Sequence, residues 1–381
     1  MASTNAKVSN HVPEDIIFSI VSKLPLKSVH RFTCVRKSWT LLFQNPIFMN
    51  MFGKNPNDEA TLLLNHFDNI DRKWKLYLVS ADEEFESKVQ LNWPFPFRQN
   101  YGPSYPHIVG SAINGILCIY DKQNSSMIVL WNPVTDELTR VPPSRARLLY
   151  NEYETLFVIH GFGYDHVNDD YKIIQRIVYF GRYWQSVPSG PFWELYSLRS
   201  NSWKKINVDM QERYLLSHGL GVEVYLNGVC YWWGESDDET YVVSFNLSNE
   251  MHITTLFPIN LHDFIVFDRH LAVLNGHVAM ILSYVKKTSP SFNISISVLG
   301  EPGVSESWTK LFDVRPLSCF EHPIGSGKKK GNVFFRKDDD ELACLDLSTG
   351  VVENIGVKAK RNCSQVVVYK ESFLSVGGMI N

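Results

Sequence analysis

The sequence predicts a mainly β protein: a head of three short helices, then a closed ring of six four-stranded sheets, a six-bladed β-propeller. Three observations carry that expectation. Residues 12–39, VPEDIIFSIVSKLPLKSVHRFTCVRKSW, read as helix, whereas almost everything after Asn57 reads as strand. From Thr61 onward, short β-branched and aromatic runs are punctuated by Gly, Asn, Asp and Pro. Those runs also recur at a regular interval.

In the head, Pro13 suits the first turn of a helix, because its missing N–H would be unpaired there. Glu14 and Asp15 place negative charge at the positive end of the helix dipole. Ile16, Ile17, Ile20, Val21 and Leu24 then form an apolar stripe, and Pro25 is expected to end the helix. Val12 is a poor cap for its start. A second helix is expected around Val29 and Phe32, and a third around Trp39, Leu42 and Phe43, with Asn45-Pro46 closing the unit. About forty residues is a marginal size for independent folding. One apolar face of such a unit serves its own core, and the other packs on the β domain or on a partner. Between His11 and Phe52 five Lys/Arg stand against two acids. A DNA-reading helix-turn-helix is disfavoured all the same, since Trp39, Leu42 and Phe43 occupy the helix that would read bases.

In the β region the repeating unit is strand, polar turn, strand: LYLVSADEEFESKVQL, LWNPVTDELTRVP, LYSLRSNSWKKI, SFNLSNEMHITTLF, SVLGEPGVSESWTKLF and CLDLSTGVVENIGV. With Leu78, Asn132, Leu198, Leu247, Leu299 and Leu347 as equivalent positions, the spacings are 54, 66, 49, 52 and 48. Several units carry an Asn-Gly hairpin signal, as in INGILCIY, LNGVCYWW and LNGHVAMI. Units of roughly 50 residues and four strands are kelch-like propeller blades. A β-sandwich would not produce this period, and ring closure protects the sheet edges.

Two stretches resemble a known family. The head is similar to the plant-type F-box, with Pro13, Leu24-Pro25, Lys27-Ser28, Arg31-Phe32, Cys34-Val35 and Lys37-Ser38-Trp39 in register. Val12 replaces the usual Leu, and Arg36 stands where Ser is common. WNPVTDELTRVP, GFGYDHVNDDYKII, LYSLRSNSWKKI and LNGVCYWWG resemble the recurring blocks of the F-box-associated domain, with Ile113 where Cys is usual and a looser match in the last third. The resemblance implies an F-box over 11–52 and a substrate-recognition propeller over 60–375. It implies docking of the head onto a Skp-type adaptor and, through it, a cullin ubiquitin ligase. Pro13, Ile16, Ile20, Leu24, Pro25, Val35 and Trp39 are the implied adaptor contacts. The chain would then be a non-catalytic subunit that recruits a protein substrate, whose identity the sequence does not give. The alternatives are a non-ligase F-box scaffold, or a propeller enzyme or small-molecule-binding protein whose head is only structural.

Two aromatic segments are candidates for target contact: NWPFPFRQNYGPSYPH (Asn92–His107) and YFGRYWQSVPSGPFW (Tyr179–Trp193). The second lies in the longest interval of the repeat. Tyr179, Arg182, Tyr183 and Trp184 are its candidate substrate-binding residues, because Trp, Tyr and Arg dominate interface hot spots. The competing expectation is that these aromatics are internal packing.

Other motifs point away from chemistry. GSGKKKG (Gly325–Gly331) imitates a phosphate loop, but His322 stands where its first Gly belongs and Lys329 where Ser or Thr belongs. The His residues show no metal spacing with Cys or Glu, so no metal and no cofactor are expected. Asp169-Asp170 and Asp338–Asp340 read as turn caps, and Cys118, Cys230 and Cys344 as core. Six scattered Cys, no CxxC pair and no apolar leader suit an intracellular protein that is not secreted, cytoplasmic or nuclear. A net charge of −3 gives no general attraction to nucleic acid or membrane.

Overall fold

The computed structural model describes residues 14–21, 28 and most of 61–376; within the last range 80–84, 86–87, 98–103, 147–152, 182–189, 209, 211–222, 237–238, 259–263, 288, 315–319, 328–330, 361–362 and 373 are not described. Among the described residues, 24 strands form six four-stranded antiparallel sheets. Blade one holds β1 (Thr61–Asp68), β2 (Lys73–Val79) and β3 (Lys88–Leu91), with the last strand of the chain, β24 (Ser364–Tyr369), beside β1. Blade two is β4 (Pro106–Ile108), β5 (Leu117–Asp121), β6 (Asn124–Trp131) and β7 (Leu138–Val141). Blade three is β8 (Glu154–Asp165), β9 (Asp170–Phe180), β10 (Phe192–Ser197) and β11 (Ser202–Ile206). Blade four is β12 (Val224–Leu226), β13 (Val229–Ser236), β14 (Glu239–Asn246) and β15 (His252–Leu256). Blade five is β16 (Phe264–Leu274), β17 (His277–Lys286), β18 (Ser289–Val298) and β19 (Thr309–Val314). Blade six is β20 (Phe320–Ser326), β21 (Asn332–Lys337), β22 (Glu341–Asp346) and β23 (Val352–Lys358).

The expected propeller is therefore present, with six blades. The repeat read from the sequence is the hairpin between the third and fourth strands of each blade. Asn132, Leu198, Leu247, Leu299 and Leu347 each directly follow a third strand. Leu78 instead lies inside β2, because blade one joins its third and fourth strands through the longer 80–87 connection and lacks the tight-turn signature. The three Asn-Gly pairs close hairpins between first and second strands. Asn114-Gly115, Asn227-Gly228 and Asn275-Gly276 all have both residues at positive φ, which matches the twist of a two-residue hairpin.

The head differs from expectation. Among the described residues ahead of the ring there is one α-helix, α1, Glu14–Val21, and not three. The expected second helix rests on Val29 and Phe32, and the expected third on Trp39, Leu42 and Phe43. A helix this short takes most of its stability from tertiary packing, so spacing alone does not specify one. Those five positions fall outside the described residues.

Each interface between neighbouring blades is a separate apolar layer. Leu63, Leu76, Ile108, Leu117 and Trp131 fill the layer between blades one and two. Ala272, Leu274, Ile281, Phe335 and Leu345 fill that between blades five and six. Because both faces of each sheet are covered, β9 is buried continuously from Asp170 to Tyr179 and shows no in–out alternation.

His270 of β16 is fully buried, its Nε2 finds no hydrogen-bond partner among the described residues, and burial pushes its pKa down to about 3. The unfolded chain thus binds a proton at this site that the folded chain refuses. The resulting stability is present above the unfolded pKa of about 6.5 and is lost as pH falls towards the folded value, at about 1.4 kcal/mol per pH unit. Buried His107 shifts in the same direction, again through burial. Urea midpoints should fall steeply between pH 6.5 and pH 5, and His270→Gln should remove about 2 kcal/mol of that fall. An unchanged slope in His270→Gln would show that another group carries it.

Candidate functional site

The ring has two distinguishable ends. Thr61 pairs with Tyr369 at the end where the inner strands finish, and His66 pairs with Ser364 at the other. The chain therefore enters the propeller at the first end, here called the near end. The β3–β4 and β9–β10 connections, which hold both aromatic segments, lie at the far end.

On α1, Ile16 and Ile20 are 47% and 56% exposed, whereas Val21 is buried. One helical turn separates the two isoleucines, so they share a face. Of the other residues expected to contact an adaptor, Pro13, Leu24, Pro25, Val35 and Trp39 lie outside the described residues.

At the far end the first aromatic segment divides by role. Trp93 and Phe97 are core, with Trp93 Nε1 donating to the Trp74 carbonyl at 3.1 Å. Phe95 is 46% exposed beneath the Arg140 guanidinium, 4.6 Å from the ring centroid. Tyr105 is exposed and meets Trp74 edge-on. In the second segment Tyr179 is only 4% exposed, its hydroxyl donates to the Ala146 carbonyl at 2.9 Å, and its ring meets Phe192. Trp193 is likewise buried, while Phe180 is exposed. Arg182, Tyr183 and Trp184 lie outside the described residues. Exposed Ile70, Leu156 and Ile265 sit at the same end, in the β1–β2 turn and near the starts of β8 and β16. Sequence reading missed Ile70 because it is a single apolar residue in a polar turn, and Leu156 and Ile265 because they stand inside apolar runs, LFVI and FIVF, that read as strand core.

The near end is held by two polar clasps, and each explains a sequence block. In WNPVTDELTRVP, fully buried Asn132 donates through Nδ2 to the carbonyls of Ser372 and Leu374, at 2.9 and 2.8 Å. Its Oδ1 accepts from Val134 N, and Glu137 accepts from Val376 N. The tail beyond β24 is thereby fastened to blade two.

In GFGYDHVNDDYKII, Asp165 has no solvent exposure and accepts from Lys172 Nζ at 2.7 Å, Ser248 Oγ at 2.5 Å, Asn168 Nδ2 and two backbone N–H groups. Lys172 also donates to the Leu247 carbonyl at 2.8 Å, so the pair joins blade three to blade four. Burial raises the Asp165 pKa, but the bonds from Lys172, Ser248 and Asn168 outweigh it and hold the carboxyl well below the usual range. The two glycines of this block permit the close approach: a Cβ at Gly161 would lie 2.8 Å from Cys230, and one at Gly163 2.4 Å from Leu247.

A family model described as the F-box associated beta propeller domain matches residues 69–376. The chain belongs to that family. Its type is that of plant F-box proteins carrying an F-box-associated domain. An F-box/kelch-repeat protein of Arabidopsis thaliana is 24% identical over 379 residues, covering 96% of this chain and 96% of the relative. The F-box protein CPR1 of the same plant is 24% identical over 371 residues, covering 91% of this chain and 84% of its own. A putative F-box protein, also of Arabidopsis thaliana, is 24% identical over 328 residues, 82% of this chain and 67% of the relative. The family match takes in both clasps and both far-end segments.

Among the described residues no group of three His, Cys, Asp or Glu is placed to hold a metal ion. Cys118, Cys230 and Cys344 are buried, and burial pushes the Cys118 and Cys230 thiols up, away from the reactive thiolate. Asp170 accepts from Arg199 N and Asp169 has positive φ, both serving turns. No helix of the described residues is long and apolar enough to cross a membrane.

Proposed function

We propose that this protein is the substrate-recognition subunit of a Skp–cullin–F-box ubiquitin ligase. Residues 11–52 would dock on the Skp-type adaptor, and the far end of the propeller would hold the target protein. The observation that carries the reading is the exposed pair Ile16 and Ile20 on one face of α1, inside the segment that resembles an F-box. Soluble proteins rarely leave two large aliphatic residues one turn apart in water without a partner for them. The opposition of the two ends supports the second half of the reading. The adaptor-bound head would join at the near end, which leaves Phe95, Tyr105, Phe180 and the Arg182–Trp184 segment free to meet a target. The subunit itself would contribute proximity, raising the effective concentration of a target lysine beside the conjugating enzyme.

The adaptor interface should bury roughly 1,200–2,000 Å², with each large apolar anchor contributing about 2 kcal/mol. In co-purification from plant cells, Ile20→Asp or Leu24→Asp should abolish adaptor recovery and leave the unfolding midpoint of the propeller in place. Tyr183→Ala with Trp184→Ala should retain the adaptor and lose trapped targets. Undiminished adaptor binding by a chain that starts at Asn57 would overturn the docking half. Intact target capture together with a lowered unfolding midpoint in the double variant would overturn the recognition half.

A further inference from the structure

The outermost strands of the six blades, β3, β7, β11, β15, β19 and β23, are the free edges of the ring. A free edge presents unpaired N–H and C=O groups that can template another strand, and charged side chains on it are the usual guard. Five of the six carry that guard: Lys88 on β3, Arg140 on β7, Lys204 and Lys205 on β11, Lys310 and Asp313 on β19, Glu353 and Lys358 on β23. β15, HITTL, has no Lys, Arg, Asp or Glu, and its Ile and two Thr are β-branched residues that favour strand pairing. Met251 directly before it is exposed, as are Thr254 and Leu256, and Ile253 is 48% exposed.

The hydrogen-bond phase of blade four decides which backbone groups of this edge are free. Asn246 N donates to the Met251 carbonyl at 2.9 Å, and Phe257 N to the Thr240 carbonyl at 2.7 Å. With Ser244 opposite Ile253 and Val242 opposite Thr255, the alternation makes Ile253 and Thr255 bond inward to β14 as well. His252, Thr254 and Leu256 therefore turn their backbone groups outward. The Leu256 carbonyl is taken by Trp308 Nε1 at 3.1 Å, and Gly303 N donates to Thr255 Oγ1 at 2.7 Å, so blade five covers that end of the edge. At the other end Glu250 is paired with Lys204 of blade three at 2.5 Å. Between them His252 and Thr254 each present one N–H and one C=O that meet no partner among the described residues.

This open stretch complements itself. When two copies lie antiparallel with their Ile253 residues opposite each other, His252 of each protomer faces Thr254 of the other. Every free donor then meets a free acceptor. A register shifted by two residues would call on the Leu256 carbonyl, which Trp308 already occupies. Ile253 falls at a non-hydrogen-bonded position, where side chains on paired strands come closest and an aliphatic pair contributes. A strand paired with its own copy closes a two-fold contact, so association stops at two.

We propose that β15 is a self-association edge, through which two copies of this chain join blade four to blade four as one continuous antiparallel sheet. The inference uses only the ring and does not depend on the ligase reading. The contact lies on the rim, so both far ends stay open to a target. An interface built on two short strands is smaller than a standard one, and the dimer should form in the range of roughly 1–100 micromolar.

Sedimentation velocity of the full chain across that range should show monomer giving way to dimer. Ile253→Lys sets two ammonium groups opposite each other and should weaken association roughly tenfold or more. Leu311→Lys, at an exposed position of β19, should leave it unchanged. Mild oxidation reads the register. Ile253→Cys should give a disulfide-linked dimer, because directly opposed residues lie within disulfide reach. Thr254→Cys should give none above the native chain, because its two copies are more than about 7 Å apart. A protein that stays monomeric at about 100 micromolar would overturn the proposal. So would a dimer that Ile253→Lys leaves intact, or cross-linking through Thr254→Cys in place of Ile253→Cys.

Discussion

Replacing Lys172 by Met should lower the stability of the whole ring by about 3–5 kcal/mol, the cost of leaving a buried carboxylate without its cation. Asp165 has no exposure from which to recover water, and Ser248 and Asn168 supply hydrogen bonds but no charge. The loss should appear in guanidinium unfolding as a reduced midpoint with an unchanged slope. Asp165→Asn should cost less, since the amide oxygen can still accept from Val167 N and Asn168 N. The double variant should fall short of the sum, as contacting residues do. Sign follows from the depressed pKa. The stabilisation from Asp165 is present above the unfolded value of about 3.9 and is lost only as pH falls through the lower folded value. That window lies below the pH 5–6.5 range over which the His270 effect is read, so the two effects separate in a pH series. A cost under 1 kcal/mol for Lys172→Met would mean that the pair is replaceable by solvent.

This clasp marks the boundary of what the sequence reveals. The blade period was legible because blades two, three, four and six join their third and fourth strands by short polar turns, and the Asn-Gly turns because their backbone demands those residues. The block GFGYDHVNDDYKII was legible as a block and not as a clasp, because the Asp165 hydroxyl donor is Ser248, in the next blade. Asn132 likewise bonds to carbonyls some 240 residues away. Local spacing says nothing about such partners.

Exposure was the least legible property. Tyr179 looked like part of an interaction loop by composition, and it is core, because a propeller sheet is covered on both faces and its strands lack alternation. Where apolar spacing suggested three helices in the head, the described residues hold one, because a few turns of apolar spacing do not by themselves specify a short helix. Ile16 and Ile20, read from the sequence as part of one apolar stripe, are exposed on α1.

Deleting residues 364–381 should abolish the fold rather than shorten it. The deletion removes β24, and with it Val366, Val367 and Tyr369, which pack into the layers on both sides of blade one. At about 2 kcal/mol for each buried side chain, their loss alone approaches the whole net stability of an ordinary domain. The deletion also strips β1 of its partner from Thr61 to His66 and leaves an unpaired strand edge open to aggregation. Asn132 then keeps a buried amide with no carbonyl to receive it, since its acceptors are Ser372 and Leu374. Because each blade is covered by its neighbours, opening the ring between blades one and six, or one and two, exposes layers that no other element can cover. The expected result is an insoluble or non-cooperatively unfolding chain. Deleting only 371–381 should be milder: it keeps β24 but loses the tail that Asn132 holds, at a cost of about 1–3 kcal/mol for the orphaned amide. A monomeric, cooperatively folded protein ending at residue 363 would show that the blades are stable without closure, and the velcro pairing of β24 with β1 would then be dispensable.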